Sequence, residues 1–410
     1  MKPSHAILAI LCIASATTNA QVVPDVNRPK PLVVSGTLRY DLRYSQTAQF
    51  YGGTLGDTQS SVVSGDLTYA NLSQSRPFSV TYSGGDMWNI SGGSYGTGVF
   101  QHMMVSQGIL GRDWALNLSD NVSYSPQSPT GGFSGIPGVG DLPQPPIAPG
   151  LPILTLNTRS VYNTLSPGFS HRLNYSTSLG INGSYAIVRF PDGNGLETNQ
   201  YQVGPQISRR LNALNSISGQ YSYSHFSYPG STITMGTQSA EFGYQRTWNR
   251  RLSTSVMAGP EWVRSSIPQV IPSSTNIAVN AGATFNAGLT SANLSYSRGA
   301  SGGAGSPTQI GVHNDDVNAA LSRQFGRNLS VSATGAFMRT RGLQQTGVIN
   351  GKTGGASATQ RLGRYIIVSI NYSALQQSSS AALPANAISG VSQVIGFSIG
   401  YSPREMHFKK

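Results

Sequence analysis

The fold class is decided by the stretch from Trp114 to Tyr124, which reads WALNLSDNVSY. Here Trp114, Leu116, Leu118, Val122 and Tyr124 alternate with small or polar residues. Successive side chains of a β-strand point to opposite faces. The alternation therefore predicts a strand with one face in an apolar medium and the other in a polar one.

The same alternation recurs along the whole chain. It is found in residues 38–45, 173–187, 276–286, 329–337, 366–372 and 395–401. Short polar turns, many of them basic, follow the strands, as at Leu110-Gly111-Arg112, Arg209-Arg210-Leu211 and Arg361-Leu362-Gly363-Arg364. Several turns are roughly 35 to 42 residues apart, which is the length of one hairpin plus one longer loop.

The turns allow the strands to be counted. Eight short turns predict sixteen strands in hairpins, and an opening strand near 34–45 and a closing strand near 391–402 bring the total to eighteen. The patterns at 99–107 and 354–360 are the weakest, so sixteen strands is the alternative. We therefore predict an all-β fold: a closed, antiparallel, up-and-down transmembrane β-barrel of about eighteen strands, with its short turns in the periplasm.

Composition favours a barrel over a soluble sheet. Only 10% of the residues are charged, whereas about 25% is typical of soluble domains. A soluble sandwich fills its solvent face with Lys, Glu and Thr, but the polar faces here are Ser, Asn, Gln and Gly. Closing the sheet removes the exposed edges that charged residues otherwise protect. After the first twenty residues, no apolar run reaches the ~18 residues that a membrane-spanning helix needs.

Aromatic residues are a second indication of a membrane, because rings with a polar tip settle at bilayer interfaces. By parity the following residues fall on the apolar faces: Tyr40, Tyr44, Tyr69, Tyr82, Trp114, Tyr124, Tyr175, Tyr185, Tyr221, Tyr223, Tyr244, Trp262, Tyr296, Tyr372 and Tyr401. The formal net charge of +12 could indicate nucleic-acid binding. The basic residues recur in short turns and do not form one tract, so nucleic acid is disfavoured as a partner.

The chain is predicted to have four parts. Residues 1–20 have the charged start, apolar run and small-residue cleavage site of a secretory signal. Residues 21–32 are expected to form a short periplasmic segment, 33–402 the barrel, and 403–410 a C-terminal tail. The proline-rich residues 126–153 are expected to form the third long external loop. The single cysteine, Cys12, lies in the signal, so the exported protein would have neither disulfides nor thiolate sites.

No catalytic, cofactor-binding or metal-binding residues are predicted, because the histidines are scattered singly and no nucleophile has a recognisable base. The chain is therefore not expected to be an enzyme. Parity places Arg39, Asp41, Arg43, Glu241 and Glu261 on the polar face, where they are candidate pore-lining residues among neutral side chains. Loop 126–153 has one charged residue, Asp141, and is expected either to narrow the pore sterically or to remain outside as a flexible loop.

The signal, the repeated hairpin and the closing strand Gln393–Tyr401 resemble those of bacterial outer-membrane β-barrel proteins of the porin-like class. In that class Gly396, Ile399 and Tyr401 would be read by the barrel assembly machinery. The resemblance implies an outer-membrane location, contact with outer-membrane lipids, and passive diffusion of small hydrophilic solutes. The alternatives are a non-conducting barrel whose external loops bind, adhere or support structure, and a soluble secreted β-repeat protein. Nothing in the sequence indicates an oligomeric state.

Overall fold

The computed structural model describes residues 34–51, 57–71, 73, 75–91, 98–125, 159–193, 196–302, 310–344, 347–380 and 390–409. These residues form one sheet of nineteen strands. The strands are β1 Val34–Tyr51, β2 Thr58–Asn71, β3 Phe78–Ser91, β4 Gly98–Leu110, β5 Trp114–Ser125, β6 Ser160–Arg172, β7 Thr177–Arg189, β8 Thr198–Arg210, β9 Asn215–Ser227, β10 Thr234–Thr247, β11 Leu252–Ser265, β12 Ser274–Ala287, β13 Thr290–Ser301, β14 Val312–Phe325, β15 Leu329–Gly342, β16 Val348–Leu362, β17 Ile366–Ser379, β18 Gly390–Tyr401 and β19 Met406–Lys409. Within the described ranges, no helix is long and apolar enough to cross a bilayer.

The sheet closes on itself. β1 to β18 pair in sequence order, each antiparallel to the next, and β1 also pairs with β18. Thr47, for example, lies opposite Ser60 of β2 on one side and Gly396 of β18 on the other. The predicted closed barrel of eighteen strands is confirmed. The two weakest predicted strands are present as β4 and β16, each paired on both sides, so the sixteen-strand alternative is wrong.

Two kinds of tight turn form six of the eight hairpin connections at one end of the barrel, which we call the short-turn end. In one kind the side-chain oxygen Oδ1 of an asparagine accepts hydrogen bonds from the backbone N–H groups two and three residues later. Asn174 accepts from Ser176 and Thr177, both at 2.9 Å. Asn212 and Asn249 repeat this arrangement. In the other kind a glycine adopts a positive φ, as Gly288 does at 60°. These turns lie within a few residues of the predicted ones. The first corrects the prediction, because residues 173–176, assigned to a strand by alternation, form the turn and β7 begins at Thr177. The longer connections lie at the opposite, long-loop end.

The two faces of the barrel differ as the alternation predicts. The register places apolar side chains outside, where Leu42, Ile277 and Phe242 are 56%, 61% and 64% exposed. Every aromatic residue assigned to this face by parity lies on it, apart from Tyr175, which lies in the β6–β7 turn. Asp120 is a polar exception on the outer face. It is buried, and the Asn163 side-chain amide donates a hydrogen bond of 2.6 Å to its carboxyl group.

Three prolines lie within strands on the outer face, and each interrupts the ladder on one side. Pairing of β6 with β7 skips Pro167, pairing of β8 with β9 skips Pro205, and pairing of β10 with β11 skips Pro260. Proline has no N–H to donate, so a gap of this kind is expected at each one. Beside Pro260 the strands approach closely, and a Cβ on Gly259 would lie 1.8 Å from the Ala240 carbonyl oxygen.

The segment 403–410, expected to be a C-terminal tail, contains the short strand β19. β19 pairs with the first part of β1, with Thr37 opposite His407 and Leu38 opposite Met406. β18 pairs with β1 from Leu42 to Tyr51, and β19 pairs with the earlier part of β1, from Val34 to Leu38. The expected signal and N-terminal segment, residues 1–32, lie outside the described residues.

The close approach at Gly259 predicts a site of low tolerance. We expect Gly259→Ala to destabilise the barrel by about 1–3 kcal/mol, because the added methyl group must push β10 and β11 apart. Gly354→Ala is the matched control, since nothing lies within 4 Å of its added Cβ. Urea unfolding of both variants in the same detergent would check this, and equal stability of the two would contradict the close contact.

The two faces predict opposite tolerances to charge at neighbouring positions of β5. Leu118 lies on the outer face and Asn117 on the inner face. Leu118→Arg should cost about 2–4 kcal/mol if it lies near the bilayer midplane, whereas Asn117→Arg should be tolerated in the polar lumen. The measurement is reversible unfolding in lipid vesicles. Similar losses at both positions would mean that the faces are wrongly assigned.

Candidate functional site: the lumen and its mouth

The five predicted lumen residues lie on the inner face and on opposite walls. Arg39, Asp41 and Arg43 belong to β1, while Glu241 and Glu261 belong to β10 and β11. Their cross-strand partners are mostly small polar residues, such as Ser64 for Arg43 and Asn276 for Glu261. β1 and β10 are nine steps apart in the ring of eighteen, so the arginines and the glutamates face each other across the barrel.

The β1 wall carries charges that pair locally. The Arg39 Nε lies 2.9 Å from an Asp41 carboxylate oxygen, and the two side chains are 54% and 14% exposed. Asp66 of β2 lies directly opposite Asp41 in the register, so it belongs to the same group. Asp66 was not predicted, although its spacing from Ser64 and Thr68 on the polar face of β2 was a usable signal.

The glutamates of the opposite wall receive hydrogen bonds from neutral donors. Glu241 accepts one from the Ser239 hydroxyl and one from the Asn280 amide, both at 3.0 Å. The Ala300 backbone N–H donates to both Glu261 oxygens, at 2.9 and 3.0 Å. Both side chains are buried, with 7% and 5% of their surface exposed. These two carboxyl groups are therefore largely inaccessible from the lumen.

Further inward charges lie outside the predicted set. Asp316 of β14 faces the lumen between Ser297 and Met338. At the short-turn end, Arg210 and Arg361 also have inward parity and are exposed. Arg172 occupies a similar position, but its guanidinium group binds the Asp113 carboxylate at 2.9 Å. That hydrogen bond from Arg172 holds the pKa of Asp113 below its usual range.

An apolar cluster occupies the long-loop end of the lumen, and we call it the mouth cluster. It consists of Phe226, Tyr228, Met235, Val263 and Ile271, all at most 3% exposed. Tyr228 and Ile271 come from the β9–β10 and β11–β12 connections, so two loops fold inward over the strand ends. The partly buried residues Leu196, Ile233, Val270, Ala300, Ile310 and Leu343 pack against it.

One buried hydrogen bond ties the mouth cluster to the β13–β14 connection. The Tyr228 hydroxyl donates to the Gly302 carbonyl oxygen at 2.6 Å. Burial raises the pKa of the Tyr228 phenol above its usual range, so the donor proton stays in place at any ordinary pH. The Gly311 N–H also donates to Gly302, and the Leu343 N–H donates to Gly311, both at 3.1 Å. The β9–β10, β13–β14 and β15–β16 connections are therefore joined by hydrogen bonds.

The mouth cluster differs from the constriction that the sequence predicted. Loop 126–153, the expected narrowing element, lies outside the described residues, and its inward folding stays a prediction. The signal for the mouth cluster was the apolar content of two connections, Tyr228–Ile233 and Ile267–Ile271, which is unusual for exposed loops. Among the described residues, no group of three or more His, Cys, Asp and Glu is placed to hold a metal.

The mouth cluster predicts a sensitive position for conduction. Ile271→Asp should open the cluster, because a carboxylate cannot stay buried among apolar side chains without a partner. We expect a larger single-channel conductance in planar bilayers than for the unmodified protein. Gln269→Asp, in the same loop but exposed, adds the same charge without touching the cluster and should leave conductance nearly unchanged. An equal effect of both substitutions would mean that the charge, and not the packing, is responsible.

Among known proteins, similarity was found only to solved structures. No protein-family model matches the sequence, and no curated protein matches it. The crystal structure of Pseudomonas aeruginosa OccK2 (OpdF) is 10% identical with a TM-score of 0.49, over 90% of this chain and 99% of that one. Acinetobacter baumannii OccAB3 is 11% identical with a TM-score of 0.47, over 90% and 99% of the two chains.

A third solved structure, Pseudomonas aeruginosa OpdK with vanillate, is 8% identical with a TM-score of 0.46, over 92% of this chain and 100% of that one. Likeness at this level carries no argument about substrate. The assignment of this chain as a closed eighteen-strand barrel rests on its own strand pairing.

Proposed function

We propose that the protein is a passive channel for small hydrophilic solutes in a bacterial outer membrane. The observation that carries this proposal is the reversed polarity of the closed barrel, with exposed apolar side chains outside and Ser, Asn, Gln and Thr inside. Barrels of sixteen to eighteen strands are wide enough to leave an aqueous channel. A hydrated lumen with few charges suits solutes that need no specific chemistry.

The outer-membrane location is supported by the outer face. Large apolar side chains such as Leu42, Phe242 and Ile277 would be costly to expose to water, whereas hydrocarbon accommodates them. The difference in connection length supports a periplasmic position for the short-turn end and an external position for the long loops. Export through the signal in residues 1–20 and insertion by the barrel assembly machinery complete this proposal.

The accessible charge of the lumen favours a weak preference for anions. Arg39 is more than half exposed, and Arg210 and Arg361 are exposed near the periplasmic opening. Glu241 and Glu261 are buried in the opposite wall. Asp41, which pairs with Arg39, and the half-buried Asp66 and Asp316 reduce this excess of accessible positive charge, so the field of the exposed arginines favours anions only weakly.

The mouth cluster supports a second candidate function. With the side chains packed against it, the cluster joins the β7–β8, β9–β10, β11–β12, β13–β14 and β15–β16 connections over part of the external opening. Such a surface could serve binding, adhesion or support in a barrel that does not conduct. Conductance measurement separates the two proposals, because only the channel requires a continuous water-filled path.

The charge of the lumen predicts the outcome of a selectivity measurement. We expect the purified, refolded protein to form channels in planar bilayers, with a reversal potential in a salt gradient that shows a modest anion preference. Arg39→Glu together with Arg43→Glu should shift the preference towards cations, because the lumen wall changes by four charge units.

The control is Arg209→Glu with Arg323→Glu, which makes the same change of charge at outward-facing positions near the short turns. This variant should keep the selectivity of the unmodified protein. An intact protein that inserts into the bilayer but never conducts would favour the non-conducting barrel.

A further inference from the structure

Four basic side chains gather on the outer face at the long-loop end of β13 to β16. They are Arg298 of β13, Arg339 and Arg341 of β15, and Lys352 of β16, and we call them the basic patch. All four are exposed. The register brings them together, since Asp315 of β14 lies opposite both Arg298 and Arg339.

The basic patch begins where the apolar band ends. The outward side chains of β15 run from Leu329 through Val331, Ala333 and Gly335 to Phe337, and the next two are Arg339 and Arg341. With a rise of about 3.3 Å per residue, Arg339 lies about 7 Å beyond Phe337 along the strand. This is the level at which hydrocarbon gives way to lipid headgroups.

The patch has more positive than negative charge. Its one acidic neighbour, Asp315, lies 3.6 Å from the Arg298 Nε and accepts a hydrogen bond of 3.1 Å from the Tyr296 hydroxyl. No ion pair joins Arg339, Arg341 or Lys352 to a carboxylate among the residues that the structure describes. Four cations and one carboxylate leave a formal charge of +3 on this part of the outer face.

The rest of the outer face at this end is different. β1, β3 and β18 present Phe50, Trp88, Ile90 and Val391 there. Arg189 of β7 has parity like that of the patch, but its Nε lies 3.6 Å from a Glu197 carboxylate oxygen. At this end, the exposed outward-facing basic residues without a carboxylate partner among the described residues are Arg264 of β11 and Arg339, Arg341 and Lys352 of the patch, so they all lie on β11 to β16.

We propose that the basic patch binds the phosphate groups of lipid headgroups in the outer leaflet of the membrane. Arginine presents two parallel N–H donors that match two phosphate oxygens, and Arg339 and Arg341 project from the same face of one strand. Partly dehydrated headgroups strengthen such contacts relative to bulk water. The aliphatic part of Lys352 reaches along the apolar surface while its ammonium group stays at headgroup level. The proposal rests on the proposed membrane orientation but not on conduction.

The experiment measures lipid binding by the full chain in detergent, using native mass spectrometry. The probes are a glycolipid with two phosphate groups, lipid A, its dephosphorylated form, and inorganic phosphate as competitor. We expect the unmodified protein to bind lipid A and not the dephosphorylated form. Arg339→Gln with Arg341→Gln should weaken binding by about 30-fold. Lys352→Gln is a second, milder variant and should weaken it by several-fold.

The control is Arg209→Gln with Arg323→Gln, which removes two outward-facing arginines from the opposite end of the barrel. This variant should bind lipid A as the unmodified protein does. Heat-modifiable migration of every variant confirms that each barrel is closed.

Equal weakening in both double variants, or binding of the dephosphorylated lipid, would overturn the proposal. Displacement of lipid A by inorganic phosphate at millimolar concentration would assign the patch to a soluble phosphate instead. A failure to conduct would leave these binding results unchanged.

Discussion

The structure depends on the need of every backbone N–H and C=O to find a partner where no water is present. A flat sheet of any width leaves two edges unpaired, and in hydrocarbon each unpaired group costs several kcal/mol. Pairing β1 with β18 removes both edges at once. The gaps at Pro167, Pro205 and Pro260 are consistent with this constraint, since each lacks only the pairing that the proline cannot make.

Closure also sets the character of the lumen. Once edges need no protection, the inner face can be built from small neutral residues, and a few charges then have a large influence. Those charges are not equivalent: Arg39 projects into the lumen, while Glu241 and Glu261 are bound to donors in the wall. The mouth cluster adds a third environment, apolar and buried, at the long-loop end. One continuous sheet thus provides an apolar outer surface, a polar lumen and the strand ends on which the mouth cluster packs.

The sequence predicted the features that depend on local periodicity. Alternation at Trp114–Tyr124 and its repeats determines which side chains face outward, and the turns at Asn174, Asn212 and Gly288 determine where the strands reverse. It did not predict features that depend on residues distant in the chain. Tyr228 and Ile271 become buried only because loops of different hairpins converge, and Asp66 meets Asp41 only because of the register between two strands. Periodicity indicates that Asp66 faces inward, but it does not indicate which residue of the neighbouring strand lies opposite.

The short strand β19 has a consequence for how the barrel forms. It joins Thr37 to His407, so the seam is completed by residues from nearly opposite ends of the described chain. Contacts of such large sequence separation carry the greatest loop-closure entropy and form slowly. Until Met406–Lys409 pair with β1, Thr37 and Leu38 have β2 on one side and no strand on the other. This short edge of β1 therefore stays unpaired until β19, the last of the described strands in chain order, reaches it.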